Sequence, residues 1–219
     1  MEKTISATQT ALTISKLYNW ATGLAIITIF YNVVEGVISV VLGLEDETIA
    51  LWGFGLDSFV EVISGIGILH MVLRLKNNHS ENPDQFERTA LRITGTAFYL
   101  LALGLGVTSI INLFQGNAPQ TTFWGIVIAL ISIITMWLLI RFKIKVGEGL
   151  RSQAIIADAN CTRACMYLSF TLLISSIAYE LTGLGHIDAL GALAIGGFAL
   201  KEGHETFAQA KGLACGCDG

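Results

Sequence analysis

The sequence predicts an all-α integral membrane protein: a six-transmembrane-helix bundle with cytoplasmic N and C termini. Three observations carry this reading. Only 14% of the 219 residues are charged, against roughly 25% in an ordinary soluble domain. Hydrophobic residues make up 53% before 23 glycines are added, and mean hydropathy is +0.64. A soluble globule of this size could not hide so much apolar surface.

Second, six apolar stretches stand at about 20–44, 49–75, 93–114, 123–140, 154–181 and 187–200. Each reads as a helix crossing about 30 Å of hydrocarbon, since backbone groups in lipid must be satisfied internally. Third, of the 13 Lys and Arg residues, all but Arg163 fall at one set of connections. Lys3 and Lys16 precede helix 1, and Arg74, Lys76, Arg88 and Arg92 flank the 2–3 connection. Arg141, Lys143, Lys145 and Arg151 flank the 4–5 connection, and Lys201 and Lys211 follow helix 6. The opposite connections carry no base, so the basic side is cytoplasmic.

Other classes drop out. A net charge of −4 and a pI near 5.5 supply no basic field for nucleic acid. The apolar content excludes disorder. Four cysteines without a signal-peptide pattern do not make a disulfide framework, and helix 1 is expected to be retained. The domain division expected is a membrane unit over 1–201 and a short cytoplasmic tail over 202–219.

Taken in order, the helices differ in polarity. An ionisable residue at mid-membrane costs several kcal/mol on most scales, so each one is a functional candidate. Helix 1 carries Asn32 and Glu35, and helix 2 carries Asp57 and Glu61. Helices 3 and 4 carry none centrally and read as packing or lipid-facing elements. Helix 5 carries Asp158, Cys161, Arg163 and Cys165, and helix 6 begins with His186 and Asp188.

Spacing sharpens the choice. Asp57 and Glu61 stand at i and i+4 and share one helix face, as do Cys161 and Cys165. Helices 2 and 5 run antiparallel, so the two pairs can meet at one depth, where four ligands would suit a tetrahedral divalent cation. The competing reading makes the carboxylates neutral packing groups and the cysteines small buried filler. Helices 2 and 5 also align at a constant offset, from Ala50 and Ala154 onward. Helices 1–3 and 4–6 would then be two inverted three-helix repeats, with the site at their interface.

Glu35 reads as an access-path carboxylate or a packing anchor paired with Asn32. Asp158 could orient the Cys161 site or pair with Arg163. His186 and Asp188 could form an outer mouth, or Asp188 could cap helix 6. In the tail, Cys215 and Cys217 could capture a soft ion or be oxidised together.

At these residues the chain resembles the cation diffusion facilitator (cation efflux) family of divalent-metal/proton antiporters. The resemblance rests on Asn32-Val33-Val34-Glu35-Gly36 in helix 1, and on Ala50-Leu51, Asp57-Ser58 and Glu61 in helix 2. In helix 5 it rests on Ser152 through Ala159, followed by Cys161, Arg163 and Cys165, with Asp188 at the head of helix 6. The family places His or Asp, then Asp four residues later, at the metal positions. Here helix 2 departs mildly and helix 5 carries two cysteines. The family's usual cytoplasmic metal-sensing and dimerising domain is not found after helix 6, where 202–219 remain.

The resemblance implies a secondary transporter rather than an enzyme. It would be a homodimer, multi-pass, in a prokaryotic inner (plasma) membrane. The expected activity is proton-coupled efflux of a divalent transition metal, with the ion as cargo and no prosthetic group. Two thiolates and two carboxylates favour Zn²⁺, with Cd²⁺ or Fe²⁺ also suited, over Mg²⁺ and Mn²⁺. Rocking of helices 1, 2, 5 and 6 against 3 and 4 would alternate access. The alternatives are a metal sensor that binds without transport, and a membrane thiol redox protein.

Overall fold

The computed structural model describes residues 2–46, 48–78, 85–115, 122–184 and 186–211. Side chains are described there except for 2–13, 78, 86, 87, 90, 115, 153, 154, 157, 160, 161 and 209. The described residues form six helices and no strand: α1 (Glu2–Glu45), α2 (Ile49–Asn78), α3 (Gln85–Gln115), α4 (Phe123–Leu150), α5 (Gln153–Thr182) and α6 (His186–Ala210). Five contain stretches long and apolar enough to cross a membrane: Ile14–Glu45, Ile49–Asn77, Leu91–Phe114, Phe123–Leu150 and Thr162–Thr182. The expected sixth span, 187–200, is not among them. Asp188 stands at one end of that stretch and Lys201, Glu202 and Glu205 at the other, so its uninterrupted apolar run is short.

The helices run past the apolar stretches for a reason visible in α4. Its buried positions Ser132, Met136, Leu139, Ile140, Lys143, Val146 and Gly147 keep a helical period through the basic segment. Arg141 and Lys145 point outward, while Lys143 points in. The helix ends only at Arg151, in the left-handed conformation at φ 52°. There the Arg151 N–H reaches the Glu148 carbonyl and the Ser152 N–H reaches that of Gly147, a Schellman stop. Residues 202–210, expected in the tail, form the last turns of α6.

Packing is most extensive between α1 and α2, between α4 and α5, and between α3 and α6. Contacts of α1 with α4 and of α2 with α5 join the two hairpins, and α6 packs on α2 and α5. This corrects the expected grouping of helices 3 and 4: α4 belongs with α1 and α5, and the partner of α3 is α6. A close approach also marks the α1–α2 hairpin. A Cβ on Gly43 of α1 would stand 2.6 Å from the Trp52 backbone nitrogen of α2, so only glycine admits that crossing.

Two apolar clusters flank the bundle's polar interior. One gathers Leu51, Phe54, Leu105, Leu168, Leu172 and Ile195, toward the α1–α2 connection. The other gathers Ala21, Leu24, Val72, Met136, Leu139 and Ile155, toward the termini. The outward faces are apolar, with Phe30, Leu100, Ile134 and Ile174 exposed, as lipid contact requires.

Asp188 has a different role from either expectation. Its carboxylate accepts the backbone N–H groups of Ile49 at 2.9 Å and Ala50 at 3.3 Å. It therefore caps α2 from across the bundle rather than capping α6, and it is buried rather than open as a mouth. Asp188→Ala is expected to cost about 1–3 kcal/mol, because two buried donors lose their acceptor. Asp188→Asn, which keeps one acceptor oxygen, should lose less. Thermal melting in detergent measures both, and equal melting of all three proteins would remove the cap as a stabilising element.

Candidate functional site

The polar residues of α1, α2 and α5 converge between the two apolar clusters. Asp57 is 2% exposed and Asn32 is fully buried. With Glu61 and Cys165 they line one cavity of about 50 Å³, room for a few waters or a partly hydrated ion. Lys143, Asp158, Thr162, Glu202 and Thr206 line its other walls. The helical period explains the assembly: Asp57 and Glu61 lie one turn apart on α2, and Asp158, Thr162 and Cys165 share a face of α5.

Glu61 is held by two donors. Asn32 Nδ2 gives a hydrogen bond to its Oε2 at 2.8 Å, and the Cys165 thiol also hydrogen-bonds it. Asp57 differs, since its Oδ1 is buried and has no hydrogen-bond partner among the described residues. Asn32 Oδ1 is in the same condition. Buried acceptors without donors are costly, and both residues that carry them line this cavity.

Glu35 does not pair with Asn32. It accepts from Tyr31 Oη at 2.7 Å and from Ser58 Oγ at 3.2 Å. Asp158, expected to orient the Cys161 site or to pair with Arg163, forms an ion pair with Lys143, with Nζ 2.9 Å from Oδ2. The same ammonium donates to Thr162 Oγ1 at 2.9 Å. Lys143 is 2% exposed, so a full charge is buried beside the cavity and compensated by this carboxylate.

Among the described residues no three His, Cys, Asp or Glu side chains are gathered closely enough to hold a metal ion as they stand. Glu61 is turned toward Asn32 and Cys165 instead of converging with Asp57. Cys161 lies in α5 with its side chain outside the described residues, as Cys215 and Cys217 lie outside them altogether. His186 is exposed at the head of α6 and does not enter the cavity. At that end of the bundle the acids that meet are Glu45, Asp46 and Glu180. Burial pushes the Asp46 carboxyl above its ordinary range, and the charges of Glu45 and Glu180 add to the effect.

Sequence reasoning missed Lys143 and Glu202. Both were legible in principle. Lys143 continues the buried stripe of α4, and Glu202 follows Ile195 and Ala199 on the buried stripe of α6.

The cation efflux transmembrane domain matches residues 25–211. An uncharacterized transporter of Methanocaldococcus jannaschii is 25% identical over 174 residues, covering 78% of this chain and 61% of the relative. Magnetosome protein MamB of Magnetospira sp. is 26% identical over 181 residues, covering 80% of this chain and 61% of the relative. MamB of Paramagnetospirillum magneticum is 25% identical over 170 residues, covering 75% and 57%. The chain thus spans about three-fifths of the length of these relatives. Because the domain match takes in every side chain that lines the cavity, from Thr28 to Thr206, this protein belongs to the cation efflux family.

Proposed function

We propose that this protein exports a divalent transition-metal cation from the cytoplasm in exchange for protons, with Zn²⁺ as the favoured cargo. The observation that carries the reading is the buried cavity that Asp57, Glu61 and Cys165 line, with one Asp57 oxygen uncommitted. Cys161, one turn from Cys165 on α5, would complete the ligand set. Carboxylate and thiolate together favour Zn²⁺ and Cd²⁺ and accept Fe²⁺, whereas Mg²⁺ and Mn²⁺ prefer oxygen alone.

Proton coupling follows from the chemistry of these donors. A thiol must lose its proton to bind metal, and a carboxyl must be ionised, so loading releases protons and reprotonation expels the ion. At this site the cation would displace the Cys165 proton and take Glu61 from its bonds with Cys165 and Asn32.

The orientation proposed has both termini cytoplasmic, on the distribution of Lys and Arg. The sixth crossing is α6, which packs along α3 and is tied to the start of α2 by Asp188. Equivalent packing of the α1–α2 and α4–α5 hairpins, with α3 and α6 as a pair, supports inverted repeats. The setting proposed is a prokaryotic inner membrane and the assembly a homodimer, both on the family resemblance.

The test is metal flux into proteoliposomes under an imposed pH gradient, with Zn²⁺, Cd²⁺, Fe²⁺ and Mn²⁺. Wild type, Asp57→Asn and Cys161→Ser/Cys165→Ser are compared. Zn²⁺ or Cd²⁺ should lead Mn²⁺, and Asp57→Asn should reduce Zn²⁺ flux by at least about tenfold to a hundredfold, the loss that follows even when only a partner of a metal ligand is mutated. Unchanged Zn²⁺ flux in the double serine variant would reduce the thiols to packing. Folded wild type that moves no ion would overturn the transporter and leave a metal sensor; reversible loss of two thiols under oxidation would mark a redox protein.

A further inference from the structure

The cavity has one acidic wall that neither the helix 2 pair nor the helix 5 pair accounts for. Glu202 lies on the face of α6 that buries Ala192, Ile195 and Ala199. That face is held inward where α6 crosses α3. A Cβ on Gly95 would stand 3.3 Å from the Gly203 carbonyl oxygen, and one on Gly203 would stand 3.3 Å from that of Gly95. The crossing carries Glu202 to the cavity lined by Asp57, Glu61 and Cys165. It lies near enough for its charge to act on all three.

Among the described residues no ion pair reaches its carboxylate. Lys143 is bound to Asp158, and Lys201 reaches Glu205 at 3.6 Å. Thr206 Oγ1 donates at 2.7 Å to the backbone carbonyl of Glu202, not to its side chain. An acidic neighbour alone would mean little. The independent observation is the pair of buried, unpartnered oxygens, Asp57 Oδ1 and Asn32 Oδ1, on residues that line the same cavity. Residues of α1, α2 and α6 that carry acceptors therefore line one space, and Lys143 beside it is already engaged.

We propose that Glu202 is a third carboxylate of the cation site, binding the divalent cation together with Asp57 and Glu61 from the end of the cavity nearer the termini. This rests on the transport function proposed above. It makes α6 a ligand-bearing helix and gives the ion a carboxylate contact between the terminal end and the Asp57–Glu61 turn. Displacement of α6 would then change the ligand set as well as the access path.

The experiment uses the full chain, purified in detergent and reconstituted in proteoliposomes, as wild type, Glu202→Gln, Glu202→Asp, Glu205→Gln and Asp57→Asn. Zn²⁺ flux is measured against Zn²⁺ concentration, and Co²⁺ is titrated while its ligand-field absorption is recorded. Glu202→Gln should raise the half-saturating Zn²⁺ concentration about tenfold or more and alter the Co²⁺ spectrum. Glu202→Asp should fall between it and wild type, and Glu205→Gln, on the same helix, should match wild type. If Glu202→Gln does not fold, the shifted half-saturation and spectrum of Glu202→Asp decide. Wild-type values in the Glu202 variants, with both signals lost in Asp57→Asn, would overturn the Glu202 assignment and leave the transporter standing. Wild type that neither moves Zn²⁺ nor binds Co²⁺ would overturn the transport reading and this one with it.

Discussion

Lys143→Met is expected to lower the melting temperature of the detergent-solubilised protein more than any lipid-facing substitution on α4. Lys143 is 2% exposed and Asp158 15%, with 2.9 Å between ammonium and carboxylate. Removing one partner of such a pair leaves the other charge buried without compensation, at a cost of about 3–5 kcal/mol. Methionine keeps the length of the side chain, so the loss reports the charge rather than a cavity. The second variant isolates the cause. Lys143→Met/Asp158→Asn removes both charges and should recover most of the stability. Should Lys143→Met melt with the wild type, the carboxylate must find its compensation elsewhere. If the double variant melts below the single one, the two residues are not a pair in the energetic sense.

The other large effect is expected at the α1–α2 crossing. A Cβ on Gly43 would meet the Trp52 nitrogen at 2.6 Å and the Trp52 Cα at 2.8 Å. These are backbone atoms and cannot swing away as a side chain can. Gly43→Ala should cost about 1–3 kcal/mol, the usual range for overpacking. Gly43→Leu should yield little monodisperse protein by size-exclusion chromatography. The contrast is Gly104 on α3, where a Cβ would meet nothing within 4 Å. Gly104→Leu should run and melt at least as well as wild type, since leucine is the better helix former, and equal damage at both positions would show that the crossing does not set the cost.

Much of this arrangement is legible in the sequence because it follows from local periodicity. The apolar stretches mark the helices, and a carboxylate pair one turn apart in a membrane helix marks the site. Glu61 and Cys165, far apart in sequence, are in contact through a hydrogen bond. What escapes is whatever depends on a distant partner. Asp188 at the head of a helix reads as a cap of that helix, yet its carboxylate serves Ile49 and Ala50. Lys143 reads as a cytoplasmic flank because a base after an apolar run usually marks the end of a span. Here the helix continues and turns that residue inward. The pairing of α3 with α6 leaves no charge or motif, since it rests on the absence of side chains at Gly95 and Gly203.

The cap on α2 has a mechanical consequence. The two bonds from Asp188 pin the head of α6 to the head of α2, so a tilt of α6 that preserves them has its fulcrum there. Displacement along a tilting rod grows with distance from the fulcrum, and Glu202 lies about 20 Å farther along at 1.5 Å per residue. A tilt of about 10° moves that point by roughly 3–4 Å, comparable to the reach of a hydrogen bond, while Asp188 scarcely moves. The same lever would carry α3, which approaches α6 closely at Gly95 and Gly203. In such a tilt the end of the bundle near Asp188 would be the bearing, and the end near Glu202 would sweep the widest arc.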